Sequence, residues 1–300
     1  MQGAGFFLVD KPAGPTSNRV LQDIRRSFSG RPSCRGLKFG HAGTLDSFAS
    51  GLLIVLAGKV TRLTPWFMGQ EKEYEAVFRF GEETDTLDPL GRVIATASVP
   101  TLGALEDVLP QFRGTLSQTP PSYSAVHVGG RRSYKIAKSG ESPELSPRSV
   151  SIGALHLRRF EGGEAGFSIS CSSGTYIRSL ARDIARACGS RAFVQSLRRT
   201  RIGTFEVTAA CPPGDCAAAG LREFTPDVAR DIGLGAGMLR REFFVHFQHG
   251  SALPLDAVEL QHDGAPVAAL FAEDGAFIGL VEKHREGWGA RMVAAEELQQ

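Results

Sequence analysis

The chain has 300 residues, 42% of them apolar and 22% charged, with a formal net charge of +2. That composition excludes a disordered chain and leaves room for one large domain plus a small one. No apolar run approaches the roughly 20 residues of a membrane span and the start of the chain lacks a secretory pattern, so a cytoplasmic protein is expected.

The small net charge hides a segregation. Residues 1–70 carry nine Lys/Arg against three acidic side chains, and residues 145–205 carry ten arginines against Glu161, Glu164 and Asp183. Residues 71–110 and the last sixty are acidic. Two basic segments in a balanced chain point to a polyanion-binding face, although charge runs are more often plain solvated surface. The five cysteines (34, 171, 188, 211, 216) form no C-x-x-C pair and are expected as reduced thiols rather than zinc ligands or disulfides.

In chain order, Phe6–Val9 reads as a short strand, and Thr16-Ser17-Asn18 offers an N-cap for a helix to about Ser27. A basic loop leads into Gly40-His41-Ala42-Gly43-Thr44-Leu45-Asp46-Ser47-Phe48-Ala49-Ser50-Gly51, where three glycines demand a bent backbone. The apolar run Leu52–Ala57 follows as a buried strand. Asp46 is thus a carboxylate presented by a loop against a rigid strand, an arrangement suited to catalysis; the competing reading is an Asx turn bonding its own backbone. Lys59–Met68 reads as one helix. In Glu71–Phe80 the period of two places Tyr74, Ala76, Phe78 and Phe80 on one buried face. Glu82–Gly91 reads as an acidic turn and Thr101–Phe112 as a short helix.

Pro120–Gly130 is expected as a strand and turn, Arg131–Gly140 as helix, and Glu141–Pro147 as exposed chain. Strands are expected around Val150–Leu157 and Ala165–Cys171. Ser172–Arg178 then turns into a helix ended by Gly189, with Ile177, Leu180, Ala181, Ile184 and Ala185 on its core face and Arg178, Arg182 and Arg186 on another. The basic cluster Leu197–Gly203 leads to a strand at Thr204–Val207. Residues 211–237 read as a connector with a short helix. Phe243–Phe247, Ala265–Phe271, Phe277–Val281 and Arg291–Val293 read as the strands of a small β-barrel-like domain.

The chain has no phosphate-binding P-loop, no dinucleotide fingerprint, no nucleophile elbow and no histidines at metal spacing, so no metal or cofactor is expected. What remains is a loop carboxylate, a tyrosine at a strand start, an arginine at a helix start and arginine-rich surfaces. A cofactor-free hydrolase built on Asp46 lacks a convincing base for water.

The ordered motifs resemble the TruB-type pseudouridine synthases: Asp10–Gly14, Gly40–Asp46 with Ala49–Leu53, Lys72-Glu73-Tyr74, Gly81–Asp85, Pro120–Ala125, Gly174–Arg178 and Leu197–Thr200. Two departures are Ala42 where the family usually has Thr, and Ser47-Phe48 where Pro-Leu is common. The resemblance implies an α+β fold, a mixed and mostly antiparallel sheet with flanking helices, over residues 1–236, with a thumb-like insertion at 131–147. A small PUA-like β domain is implied over 237–300. It implies an isomerase that converts uridine 55 in the T-arm of tRNA to pseudouridine after flipping the base, with no cofactor, no obligatory protein partner and a monomeric state. Asp46 is the implied nucleophile, attacking C6 of the base or C1′ of the ribose, or else removing a ribose proton, with Arg178 keeping it ionised. Tyr74 is implied to stack on the uracil and to take the C5 proton; a core tyrosine capping the sheet is the competing reading. His41, Tyr176, Leu197 and Lys11 match pocket positions, Lys11 as a structural residue. Arg182, Arg186, Arg198, Arg199 and Arg201 are candidates for the RNA backbone. The alternative on the same scaffold is a non-catalytic protein that binds or folds RNA.

Overall fold

The computed structural model describes residues 4–28, 36–261 and 265–294. Strand β1 (Gly5–Lys11) runs antiparallel to β3 (Ser50–Ala57), which also pairs with the short β2 (Phe39–His41). Helix α1 (Ser17–Ser27) lies between them in sequence, and Thr16 caps it by accepting from the Arg19 N–H at 3.1 Å. The run Leu52–Ala57 is buried throughout because both faces of β3 are covered. Phe7, Val9, Leu53 and Val55 meet Val20, Leu21 and Ile24 of α1, while Phe6, Leu8, Leu52 and Ile54 meet Phe67 and Phe205.

Beyond β3 the chain makes a 3-10 turn (Gly58–Leu63) and then the short helix α2 (Thr64–Gly69) in place of one helix over Lys59–Met68. Pro65 in the first turn of α2 has no N–H to continue a preceding helix, which forces the break. Strand β4 (Lys72–Phe80) follows with the expected alternation. The supposed acidic turn is a small hairpin, β5 (Glu82–Thr84) on β6 (Val93–Thr96), followed by α3 (Leu102–Val108) and β7 (Gly114–Gln118). The 131–140 stretch is mixed: β8 (His127–Val128) pairs with β9 (Arg131–Arg132), and only then does α4 (Ser133–Lys138) form. Strands β10 (Arg148–Glu161) and β11 (Glu164–Cys171) are long and antiparallel.

Helix α5 (Ile177–Ala187) leads into β12 (Ala192–Ile202), and β13 (Phe205–Glu206) folds back on it. The basic cluster expected ahead of a strand at Thr204–Val207 lies for the most part on β12 itself. Two register shifts, at Val194/Ser196 and Arg199/Arg201, break its period of two, and one of its inward residues is an arginine. The order across the large sheet is β1-β3-β12-β4-β11-β10-β7; β3 and β12 are parallel and its other pairs antiparallel. The core face of α5 packs Ile177, Leu180, Ala181 and Ile184 onto Ala76, Phe78, Val194 and Leu197.

Two short helices, α6 (Cys216–Ala219) and α7 (Pro226–Asp231), connect to a five-stranded sheet. Its strands are β14 (Gly235–Leu239), β15 (Val258–Leu260), β16 (Val267–Phe271), β17 (Phe277–Lys283) and β18 (Trp288–Val293), in the order β15-β14-β16-β17-β18. Residues 243–247, read as a strand, instead form a 3-10 turn and α8 (Phe244–Gln248). Phe247 is fully buried while Val245 is exposed, the spacing of a helical anchor rather than of alternation. Phe224 bridges the two sheets, meeting Phe67 at 6.5 Å and Phe271 at 5.9 Å between ring centroids. Cys171, Cys188, Cys211 and Cys216 are free thiols; Cys34 lies outside the described residues. No helix among the described residues is long and apolar enough to cross a membrane.

Candidate active site

The loop after β2 is pinned on both sides of Asp46. The Leu45 N–H donates to Ser17 Oγ at 2.9 Å, and that hydroxyl donates to the Leu45 carbonyl at 2.8 Å. The Ser47 carbonyl accepts from the Gly14 N–H at 2.7 Å and from Lys11 Nζ at 3.3 Å. Lys11 has no solvent exposure and also donates to the carbonyls of Pro12 (2.9 Å) and Pro15 (2.8 Å). Burial pulls its ammonium down to about 8, against the opposing pull of Asp46. Gly51 closes the loop at φ +105°, and a Cβ there would sit 2.2 Å from the Arg199 carbonyl oxygen, so only glycine fits.

With its neighbours fixed, the Asp46 side chain turns to Arg178, in the first turn of α5, and not to its own backbone. Arg178 Nε donates to Oδ2 at 2.8 Å and Nη2 to Oδ1 at 3.1 Å, a bidentate pair. The two ends differ in exposure, 5% for the Arg178 side chain and 35% for Asp46, so the carboxylate keeps an open face while its counter-ion is enclosed. Arg178 is satisfied elsewhere by the Thr86 carbonyl (2.8 Å) and the Tyr123 carbonyl (3.0 Å), with Asp88 Oδ2 3.7 Å away. The β5–β6 turn that presents Thr86 and Asp88 holds buried Leu87 at φ +60°, a left-handed conformation that a leucine adopts only under constraint.

Tyr74 lies at the start of β4 in the same apolar cluster as Leu45, Ala49, Ile177 and Leu197. Its phenol is raised above the ordinary value by burial, with Arg199 pulling the other way. Lys72, one pleat earlier, donates to the carbonyls of Met68 and Gln70, and burial lowers it to about 8. Tyr176 caps α5, its N–H donating to Gln118 Oε1 at 2.9 Å, and its phenol is raised by burial. His41 is partly buried, burial and Arg199 disfavour its cation, and its Nδ1 has no partner among the described residues.

The arginines expected on RNA sort differently. Arg199 is 1% exposed, so its guanidinium has no face for a phosphate; it donates to the carbonyls of Leu52, Thr44 and Gly43. Arg182 pairs with Asp183 and the Thr119 carbonyl, Arg186 with Glu83, Arg198 with Asp10 and Arg201 with Glu73. Arg186, Arg198 and Arg201 keep part of their surface in solvent. Sequence reasoning gave no site role to Ser17, Thr86, Asp88, Gln118 and Tyr123 around the pair; Tyr123 had a signal, lying inside the motif Pro120–Ala125, and Asp88 lies three residues past the motif Gly81–Asp85. No cluster among the described residues would hold a metal.

The fold is that of the pseudouridine synthases, a mixed and mostly antiparallel sheet with helices and a small C-terminal β unit of PUA-like type. A solved structure of a Cbf5-Nop10-Gar1 complex superposes with a TM-score of 0.69 over 97% of this chain and 85% of that one, at 23% identity. An H/ACA RNP bound to a substrate RNA containing 2′-deoxyuridine gives 0.68 over the same shares at 21% identity. The family profile described as TruB family pseudouridylate synthase, N-terminal domain, matches residues 31–177. The tRNA pseudouridine synthase B of Borreliella afzelii is 44% identical over 206 residues, 68% of this chain and 71% of that one. The protein of the same name from Bordetella parapertussis is 42% identical over 68% of this chain and 82% of its own. The chain belongs to the TruB family of pseudouridine synthases.

Proposed function

We propose that this chain is a tRNA pseudouridine synthase, an isomerase that moves the glycosidic bond of uridine 55 in the T-arm from N1 to C5. The observation that carries the reading is the half-open Asp46 carboxylate held by the enclosed Arg178 fork, with Tyr74 buried beside its loop. A stacked base is out of reach of such a pocket, so the uridine must flip out; the few kcal/mol this costs are offset by stacking and hydrogen bonds inside. In this reading Asp46 is the nucleophile, and the fork orients it while leaving a face for attack. Tyr74 stacks on the uracil and takes the C5 proton. Leu197 and Tyr176 shape the pocket, Lys11 holds the loop, and His41 stabilises the flipped-out conformation of the RNA. Arg182, Arg186, Arg198 and Arg201 meet phosphates by exchanging internal carboxylates for RNA, which makes affinity salt-dependent. The proposal is of a stand-alone, monomeric, cytoplasmic enzyme of residues 1–236 with an accessory unit at 237–300.

The test is tritium release from a T-arm stem-loop labelled at C5 of its uridines, run with the parent and Asp46→Asn. The parent is expected to release one tritium per stem-loop, from position 55 on mapping. Asp46→Asn is expected to lose about 10⁴-fold or more in rate while binding the stem-loop nearly as well. Comparable release by Asp46→Asn would remove the nucleophile role, and an inert parent would remove the substrate.

A further inference from the structure

The site described above uses none of the thiols, yet two of them touch. Cys211 Sγ and Cys216 Sγ stand 3.2 Å apart where the chain leaves the large sheet. The residues between them are Pro212-Pro213-Gly214-Asp215. The Asp215 N–H donates to the Pro212 carbonyl at 3.0 Å, which closes these four residues into a turn, and the two proline rings fix φ within it. Each sulfur is also anchored from outside the turn. Cys211 lies along β1: its N–H donates to the Leu8 carbonyl at 3.0 Å, and its carbonyl accepts from the Asp10 N–H at 2.9 Å. Cys216 opens α6, has no solvent exposure and belongs to the cluster of Phe7, Val9, Val20 and Ile24. A thiol that only fills space needs apolar neighbours; here a second sulfur is held against it by a rigid turn. The two differ in access, since Cys211 keeps part of its surface in solvent and Cys216 does not.

We propose that Cys211 and Cys216 form a modification site: a small-molecule disulfide converts them reversibly to an intramolecular disulfide, with Cys211 as the entry thiol and Cys216 as the resolving one. With glutathione disulfide as the oxidant, the Cys211 thiolate attacks one of its sulfurs, the S–S bond breaks, and one glutathione leaves and takes up a proton. The Cys216 thiolate then attacks the Cys211 sulfur of the mixed disulfide and expels the second glutathione, which is protonated in turn. Two cysteine thiols are oxidised and one glutathione disulfide is reduced to two thiols. The order follows from access, because an outside reagent reaches only Cys211, and burial, which raises the Cys216 thiol, adds to the difference. The bond draws the sulfurs from 3.2 Å to about 2.05 Å and closes a six-residue ring on β1, directly ahead of Asp10 and Lys11.

The test uses the full chain, reduced and folded, in glutathione buffers of rising oxidised fraction. Acid quenching and alkylation of the remaining thiols with N-ethylmaleimide precede digestion with trypsin. The fragment Ile202–Arg222 holds both cysteines and no other. In the parent it is expected to lose two hydrogens and to carry neither N-ethylmaleimide nor glutathione, and dithiothreitol is expected to reverse the change. Cys216→Ala is expected to stop at a glutathione adduct on Cys211, and Cys211→Ser to leave the Cys216 thiol free. The equilibrium constant for closing the bond is expected to be about tenfold or more larger in the folded chain than in urea. A parent fragment that stays reduced, or that ends with glutathione on its sulfurs, would overturn the proposal. So would a constant no larger in the folded chain than in urea, which would mean that the fold does nothing to bring the sulfurs together.

Discussion

The two sheets of this protein are built under different rules. Every buried polar or charged side chain among the described residues lies between Lys11 and Arg199; none lies from residue 200 onward. The C-terminal sheet is held by Leu239, Phe247, Leu253, Leu270 and Trp288, an apolar core of the ordinary kind. The large sheet, where β3, β12 and β4 converge, encloses Lys11, Lys72, Arg178 and Arg199, each satisfied by backbone carbonyls. Buried charges are poor stabilisers, so their concentration at one end of one sheet marks where stability has been given up for positioning. Both sheets share a single apolar cluster through Phe224, so the difference is one of chemistry and not of packing.

Removing the enclosed partner of Asp46 should produce the largest effect. Arg178→Met strips the fork from the carboxylate and leaves the Thr86 and Tyr123 carbonyls without their donor. Turnover on the T-arm stem-loop should fall about a thousandfold, the scale of losing one preorganised charge partner. Arg178→Lys should recover little of it, because a point charge cannot reproduce two parallel hydrogen bonds. A loss under tenfold in single-turnover assays would mean that Asp46 does not depend on the pair.

The mirror experiment belongs to the other sheet. Phe271→Ala empties a site between Phe224 and Phe277 and should cost about 3–5 kcal/mol of unfolding free energy in urea titrations. At a temperature where the variant stays folded, its single-turnover rate should match the parent's. A rate that falls in step with stability would show that the two sheets are coupled through their common cluster and would end the contrast drawn between them.

The same contrast explains which parts of the structure are legible in the sequence. Where burial means apolar, the pattern can be read: Leu52–Ala57 as a strand covered on both faces, Tyr74–Phe80 by alternation, α1 and α5 by their stripes and caps. Asp46 and Arg178 stand out because a glycine-rich loop and a helix start are recognisable presenting devices. Arg199 defeats the same reasoning. It sits in a run of three arginines among residues 198–201, which composition assigns to the surface, on a strand whose two register shifts erase its period. Ser17 and Leu87 are hidden for another reason: their work lies in a loop contact 28 residues away and in a backbone conformation, neither of which has a compositional trace. Phe243–Phe247 fails through propensity, since aromatic residues favour strands until a single buried anchor selects a helix.

The smallest effect is the most discriminating, because it moves stability and activity in opposite directions. Lys11 and Lys72 are each lowered by burial to about 8 in the folded chain, against about 10.5 when unfolded. Below pH 8 both states carry the protons, and the fold bears the full cost of two buried ammonium groups. As the pH rises past 8 the folded state releases them while the unfolded state does not, so the unfolded chain binds more protons and stability increases. The buried thiols of Cys171 and Cys216 are raised and act the other way once an unfolded thiol ionises near 9, and Tyr74 adds to that at still higher pH. The window for the lysines is therefore roughly pH 8 to 9. Unfolding free energy should climb there in the parent and climb less in Lys11→Met. Turnover should do the reverse. The Lys11 ammonium has three donors for the carbonyls of Pro12, Pro15 and Ser47, and the neutral amine has two. The longest of the three bonds, to Ser47, is the one to release, and it lies directly beside Asp46. A parent that gains stability and loses rate across that window would tie the lysine to the loop; parallel slopes in parent and Lys11→Met would show that its charge is not what holds Asp46 in place.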